Sequence, residues 1–281
     1  MNTRERYPSD LTDLPWFHIE HRFPHGKGKT GRPRQSPLRE IVNAAMYLAR
    51  GGCSRRMLPH DFPPWKTISS SFSTWRDTGV WVQVHDALRS EIRVVDGREP
   101  TPSAAIIDRP SVKTTAAGGP KGYDGGKKVT GRKRHLRVDT RGLIWGLAVL
   151  PAAPTDWDGA VEVFQRSGKR MPRLAKVGAD ANDRAVARAA GIAANGRRVL
   201  EIVTGRPGQT TVEVQKWRGV VERTFGWFGR YRRLAKDDER HPKSSETGIY
   251  IAMIHRMSRF SLPDQNRDDD LLRRPPKRLK T

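Results

Sequence analysis

The sequence predicts an α/β fold in which a small all-helical region precedes a mixed sheet with flanking helices. Between residues 38 and 98, apolar side chains recur at spacings of three and four, which is typical of amphipathic helices. From residue 104 onward, short apolar runs that indicate strands alternate with helical patterns. Their order is strand, strand, strand, helix, strand, helix, strand, helix, which predicts an α/β core.

The composition points to a polyanionic partner. The 281 residues carry a formal net charge of +23, which is more than solubility requires. Nucleic acid is the simplest partner, and a membrane surface is the alternative. No stretch reaches the roughly 18 apolar residues of a membrane span, and no signal peptide or lipidation motif is seen, so we expect a cytoplasmic protein without membrane attachment. The single cysteine, Cys53, excludes an intrachain disulfide and a cysteine metal cluster.

The N-terminal part predicts an arm followed by a helical domain. Residues 1–37 form the predicted arm, and their Gly/Lys/Arg-rich segment 25–34 is typical either of a chain that lies along DNA or of a solvated linker. Three short helices with glycine-containing turns indicate a helix-turn-helix-like DNA-binding domain at 38–98, although a bundle without DNA contact has the same pattern. The predicted helices are 38–51, 67–77 and 81–92.

The α/β core is predicted for residues 104–260, after a polar, proline-containing linker at 96–103. Its first strand, Ala104–Asp108, is apolar and ends on a carboxylate. An alternating run and an apolar run flank the turn at 140–142, which predicts a hairpin. Residues 261–281 are predicted to form a basic, disordered tail. The remaining predicted strands are 135–139, 143–150, 174–180 and 198–203, and the predicted helices are 156–167, 182–190 and 212–234.

Three acidic residues gain a shared meaning from this order. In a ribonuclease H-like arrangement of five strands, the first and fourth strands are parallel neighbours, so Asp108 and Asp180 at their ends fall within reach of one metal ion. Glu222 lies on the last helix, beside its apolar stripe at the edge of the buried face. Each acid alone has an ordinary interpretation, Asp108 as a turn residue and Glu222 as a surface pair with Arg218. Their joint placement predicts a metal-dependent nuclease core.

The predicted metal is Mg²⁺, with Mn²⁺ as a substitute, because carboxylate oxygens are hard ligands. Two ions about 4 Å apart can activate an attacking water or 3′-hydroxyl and stabilise the leaving oxygen. Two basic bands, 113–137 and 216–236, each contain a single acid, whereas a solvated charged face would mix signs. They predict phosphate contacts. The candidates are Lys113, Lys127, Lys128, Arg132, Lys133, Arg134, Arg218, Arg223 and Arg230.

At this point the sequence resembles the bacterial insertion-sequence DDE transposases of family five, over roughly residues 14–260. The N-terminal motifs GC, RMLP and FPPW within 52–65 resemble the family's helical domain. The motifs that carry the rest of the resemblance are ID and SVKT within 107–114, GPKGYDGGKK at 119–128, GRKRH at 131–135 and VERTFGWFGRYRRL at 221–234. The resemblance implies a ribonuclease H-like fold with Mg²⁺, and by position Asp108, Asp180 and Glu222 match the three catalytic acids.

The implied activity is transposition. Such an enzyme binds the terminal inverted repeats of its insertion sequence, nicks the 3′ ends and joins them to target DNA, and a homodimer is expected because two ends must be brought together. The sequence departs from the family after the second acid, where Ala181-Asn182-Asp183 replaces the usual glycines and tyrosine. The alternatives are a noncatalytic DNA-binding protein derived from an element, a decayed copy, and a structure-specific nuclease that cleaves without joining.

Overall fold

The computed structural model describes residues 4–24, 34–152, 156–168, 170–178, 201–203 and 218–259. Its N-terminal part contains four α-helices. The three helices predicted for this part of the chain are confirmed, with boundaries that shift by up to three residues. An additional short helix precedes them, and a single 3₁₀ turn, Arg55–Met57, follows α2. The helices are α1 (Asp13–Glu20), α2 (Leu38–Gly51), α3 (Trp65–Asp77) and α4 (Val80–Val95).

Aromatic side chains hold these helices together. Phe23, which follows α1, packs against Trp75 of α3 and Trp81 of α4, with ring centroids 5.1 and 5.5 Å away. Gly52 ends α2 in the left-handed conformation, with φ of 78°. On α1, Trp16 is buried, whereas Phe17 is 73% exposed. Most of the Gly/Lys/Arg-rich segment of the predicted arm, residues 25–34, lies outside the described residues.

The described part of the core contains a seven-stranded mixed sheet. Its long strand β4 is central: β5 and β1 are its antiparallel neighbours, β6 pairs in parallel with β1, and β7 pairs in parallel with β6. The predicted hairpin and the predicted parallel pairing of the first and fourth core strands are therefore confirmed. The strands are β1 (Ala104–Asp108), β2 (Ser111–Lys113), β3 (Gly122–Asp124), β4 (Val129–Asp139), β5 (Ile144–Pro151), β6 (Lys176–Gly178) and β7 (Glu201–Val203).

The prediction of a five-stranded sheet is wrong, because the basic, glycine-rich segment after β1 contributes two more strands. β2 continues the register of β1 along β4, and β3 forms a hairpin with the first residues of β4. Gly131 makes this pairing possible, since a Cβ there would overlap the carbonyl oxygen of Val112. This glycine therefore permits the close approach of two strands.

Helices cover both faces of the sheet. On one face, α5 (Asp156–Gly168) packs Val163 and Phe164 against Ile107 of β1 and Trp145 of β5. The other face carries α6 (Arg218–Gly229), α7 (Arg232–Ala235) and α8 (Pro242–Met257). The N-terminal helices α2 and α4 pack against α8, so a single apolar cluster joins them to this face of the sheet.

The C-terminal helices differ from the prediction of one helix over 212–234. Helix α6 ends at Gly229, and Tyr231 is extended, with its buried hydroxyl 3.0 Å from His255 Nδ1. Helix α8 was not predicted at all. It is buried on every side, from Ser244 through Met257 apart from Gly248, so it lacks the amphipathic pattern by which helices are recognised in a sequence.

Several sequence predictions fall outside the described residues: the helix at 182–190, the ends of the strands at 174–180 and 198–203, the first residues of the long helix, and the tail at 261–281. The division into an arm, a helical domain, a catalytic domain and a tail stays a prediction. Among the helices that the structure describes, none has the length and apolar character to cross a membrane.

Candidate active site

Asp108 ends β1 at the carboxyl edge of the sheet and is half-buried. Its Oδ1 accepts a hydrogen bond of 2.7 Å from the backbone N–H of Arg109. Because side chains alternate along a strand, Asp108 lies on the same face as Ile106, which belongs to the cluster shared with α6, α7 and α8. Asp108 therefore lies at the end of β1, on the face of the sheet that α6, α7 and α8 cover.

The neighbouring strand β6 leads to the same edge. Gly178, its last residue, is the partner of Ile106, and the two strands are parallel. The chain therefore leaves β6 on the side of the sheet where Asp108 lies. Asp180, two residues further on, lies outside the described residues, so its distance from Asp108 stays a prediction.

Glu222 lies on α6, which packs against β1. The residue is exposed, while its neighbours Val221 and Thr224 are buried at 2% and 0% exposure. The expected position at the edge of the buried face is therefore wrong for Glu222: the helix turns Val221 and Thr224 inward and Glu222 outward.

The residues that follow Glu222 anchor α6 to the turn between β4 and β5. Arg223 Nη2 donates to the Arg141 carbonyl oxygen over 3.2 Å, and Thr224 Oγ1 donates to the Gly142 carbonyl oxygen over 3.0 Å. This turn continues from Asp139, the partner of Ala105. The anchor of α6 is thus at the start of β1, whereas Asp108 is at its end.

Asp108 has the chemistry of a ligand for a divalent cation. Asp108 supplies hard carboxylate oxygens at a strand end, and the parallel neighbour β6 runs toward a second aspartate. Within the described ranges, no group of three His, Cys, Asp or Glu side chains is close enough to hold a metal ion. Because Asp180 is not among those residues, the predicted triad stays a prediction.

Two of the predicted phosphate contacts are wrong. Arg132 is fully buried, and its guanidinium donates to the carbonyl oxygens of Pro120, Glu239 and Arg240 over 2.8, 2.7 and 2.9 Å. It also pairs with the buried carboxylate of Asp237 at 3.1 Å. Phosphate contact requires an exposed cation, and Arg132 instead fastens the segment before α8 to the sheet.

Arg134 has the same structural role one pleat further along β4. Its side chain is buried, its Nη1 donates to the Leu234 carbonyl oxygen over 2.8 Å, and burial lowers the pKa of its guanidinium to about 10. The basic motif that includes both arginines is therefore partly internal. Sequence reasoning assigned these cations to DNA because a charge pattern does not reveal which face of a strand is covered.

The other predicted contacts differ in exposure. Lys133 retains 13% side-chain exposure, 4.0 Å from Asp124, and burial lowers the pKa of the half-buried Arg223. The side chain of Arg218 lies outside the described residues. The exposed members of the set are Lys113, Lys127, Lys128 and Arg230, which remain candidates for phosphate contact.

Two protein-family models match the chain. Residues 11–85, which contain α1 to α3, match the model described as "Putative transposase of IS4/5 family". Residues 179–257 match the model described as "Transposase DDE domain". The chain belongs to the IS4/5 transposase family. No curated protein matches it.

The two matches cover different parts of the fold: one contains the N-terminal helices α1 to α3, and the other contains the C-terminal helices α6 to α8. The DDE-domain match contains Asp180, Glu222 and helix α8, while Asp108 lies between the two matched segments. A DDE transposase domain implies an enzyme of DNA cleavage and transfer, with DNA as its partner. The predicted recognition of a DDE transposase of an insertion sequence is confirmed at this level.

Proposed function

We propose that this transposase nicks DNA at the terminal inverted repeats of its element and joins the freed 3′ ends to target DNA by two-metal phosphoryl transfer. Asp108, Asp180 and Glu222 would hold the two Mg²⁺ ions. The observation that carries the proposal is the parallel pairing of β1 with β6, which directs Asp108 and the segment leading to Asp180 toward one edge. The DDE-domain match adds support because it spans both other acids.

A ribonuclease H-like core is part of this proposal. The path β5, β4, β1, β6, β7 puts the first core strand at the centre, flanked by the antiparallel hairpin on one side and by parallel strands on the other. Such an order brings the ends of β1 and β6 together, where ligands bind in open α/β sheets. It supports a ribonuclease H-like arrangement without depending on any single side chain.

The chain's own residues would position the DNA. When bound, Mg²⁺ supplies an activated attacking oxygen and stabilises the leaving oxygen. The Arg109 N–H orients the Asp108 carboxylate at the strand end. Exposed Lys113, Lys127 and Lys128 follow Asp108 in the chain and would neutralise phosphates. Helices α2 to α4 would bind the terminal repeats, and two protomers would pair the two ends.

The test uses the full chain and a labelled duplex that ends in the short inverted repeat flanking the open reading frame. We expect nicking and strand transfer with Mg²⁺, and neither with a chelator. Asp108→Asn, Asp180→Asn and Glu222→Gln should each lower both rates on the order of a hundred-fold or more, because each removes a charged metal ligand. Glu5→Gln, at an exposed acid of the N-terminal segment, is the matched control and should retain activity.

Each alternative has its own signature in this assay. Binding of the repeats without metal-dependent nicking would favour a noncatalytic DNA-binding protein or a decayed copy. Nicking without joining would favour a structure-specific nuclease. A Glu222→Gln protein with full strand transfer would refute the assignment of Glu222 as the third acid. This is the sharpest of the three substitutions because Glu222 is exposed on α6.

The mass of the protein–DNA complex in solution would test the dimer, which should contain two protomers and two DNA ends.

A further inference from the structure

The acidic residue of the β3–β4 hairpin is buried. Asp124, the single acidic residue within 119–131, is 8% exposed. Its carboxylate accepts hydrogen bonds from the Ser111 hydroxyl and, over 3.1 Å, from the Lys127 N–H. The bond from Ser111 is the largest of the causes that lower the pKa of Asp124, so this carboxylate stays ionised and keeps the hairpin fastened to β2.

The surface that the hairpin presents to solvent is cationic and contains an aromatic ring. Tyr123 is 58% exposed, and Lys121, Lys127 and Lys128 are exposed around it. With Asp124 buried, no exposed acid of the hairpin offsets these lysines. A solvent-facing aromatic ring among cations is the arrangement by which proteins stack on nucleic-acid bases while they hold the backbone.

Strand pairing places Tyr123 on the face that carries Asp108. Tyr123 is the direct partner of Thr130 on β4, and direct partners lie on the same face of a sheet. Alternation along β4 puts Thr130 on the same face as Leu136, and Leu136 is the partner of Asp108. The exposed ring and the first candidate catalytic acid therefore share one face.

The tip of the hairpin also reaches the strand end at which Asp108 lies. Lys127 Nζ donates to the carbonyl oxygen of Arg109, the residue after Asp108, over 3.4 Å. The hairpin consequently borders the edge where the proposed strand cleavage takes place. DNA whose scissile phosphate is at Asp108 would extend its nearby nucleotides toward this surface.

We propose that Tyr123 stacks on an unpaired base at the DNA end beside the Asp108 edge, while Lys121, Lys127 and Lys128 contact the adjoining phosphates. Bases inside a duplex already stack on each other, so a ring on a hairpin can cover only a terminal or unpaired base. The proposal rests on the proposed function in taking DNA as substrate. It adds a binding residue that prefers a frayed or single-stranded end over a closed duplex.

The experiment uses the full chain with a chelator present, so that binding is separated from cleavage. The probe is a short duplex of arbitrary sequence with a 2-aminopurine in a single-stranded overhang, and its blunt counterpart carries the 2-aminopurine inside the duplex. Stacking on a ring quenches this fluorophore. We expect wild type and Tyr123→Phe to quench the overhang probe, and Tyr123→Ala to lose the quenching and bind the overhang duplex about ten-fold more weakly. Blunt-duplex affinity should change by less than about two-fold.

Two variants guard the interpretation. Phe17→Ala removes the 73% exposed ring of α1 and should leave quenching unchanged, which controls for nonspecific aromatic contact. Tyr123→Thr removes the ring but keeps a β-branched residue in the strand, so it replaces the alanine variant if that protein fails to fold. Quenching by Tyr123→Thr equal to that of wild type would overturn the stacking proposal.

The two proposals fail in different ways. A wild-type protein that binds neither duplex overturns this inference together with the proposed function. A wild-type protein that nicks and joins DNA with Mg²⁺, but whose Tyr123→Thr variant still quenches the overhang probe, overturns only the role of Tyr123. Loss of quenching in Tyr123→Thr, with retention in Tyr123→Phe, supports the stacking role.

Discussion

Arg137 offers a stability test that follows directly from the fold. It lies on β4 with 0% exposure, and none of its three guanidinium nitrogens has a hydrogen-bond partner among the residues that the structure describes. Its charge lies over the ring of Phe164, whose centroid is 4.6 Å from the guanidinium carbon, in a cation–π contact. A buried cation without a carboxylate is costly, so Arg137→Met is expected to raise the free energy of unfolding.

The magnitude follows from the titration of the guanidinium. Burial lowers the pKa of Arg137 from its ordinary value to about 9, which at about 1.4 kcal/mol per pKa unit opposes the charged form by roughly 5 kcal/mol. A desolvated cation–π contact of about 2 kcal/mol is lost with the arginine, so a net gain of about 1–4 kcal/mol is expected. The penalty is complete below pH 9 and diminishes as the pH rises above 9, because the unfolded state binds more protons there.

Arg132 is the matched control on the same strand. It is equally buried, but it is bonded to three carbonyl oxygens and paired with Asp237. Arg132→Met should therefore lower the free energy of unfolding by about 3–5 kcal/mol, because it leaves a buried carboxylate without its cation. Urea unfolding followed by tryptophan fluorescence measures both variants. A loss of stability in Arg137→Met would refute the reasoning, since it would mean that the guanidinium makes stabilising interactions.

Three further predictions concern contacts of α6 and α8, which lie on the face of the sheet opposite to α5. Burial lowers the pKa of His255 from 6.5 to about 3, so protons bind preferentially to the unfolded state as the pH falls below 6.5. About 2 kcal/mol should be lost between pH 6.5 and 4.5, and urea titrations of His255→Gln should show a flatter pH dependence of stability than wild type if this group causes it. Gly142→Ala would put a Cβ 2.6 Å from Thr224 Oγ1 at a φ of +83°, and thermal melts should show a loss of about 2–3 kcal/mol. An unchanged melting temperature would argue against the contact that anchors α6. Arg166→Met removes the cation 2.9 Å from the buried Glu246 carboxylate and should cost about 2–4 kcal/mol in chemical unfolding. Glu246→Gln in the same chain should recover part of that loss, and strictly additive losses would contradict the pairing.

Local periodicity was enough to predict much of the fold. The helices α2 to α4 each bury one stripe, so their pattern survives in the sequence, and the turn between β4 and β5 separates two runs with strand character. The parallel pairing of β1 with β6 was predicted from the strand order together with a ribonuclease H-like arrangement of the strands. The missed elements have no such local signal, because α8 is buried on all sides and β2 and β3 form only where β4 is available as a partner.

The candidate site divides in the same way. Asp108 was predicted at the end of a buried strand, and the structure has it there, at the edge toward which β6 also runs. The exposure of Glu222 was not predictable, because the face that α6 turns to the sheet depends on Val221 and Thr224 finding their partners. Asp180 stays a prediction from sequence.

The sequence by itself determined the transposase family, the positions of the three acids along the chain and the large positive charge. These properties depend on residue type and spacing, which are present before folding. Only the tertiary structure decided what each cation does. Arg132 and Arg134 hold segments of the interior together, and the lysines around Tyr123 are exposed. Arg137 is buried, with no hydrogen-bond partner in the described part of the chain. The physical reason is that burial depends on which distant segments cover a strand, and identical side chains on one strand then acquire opposite roles.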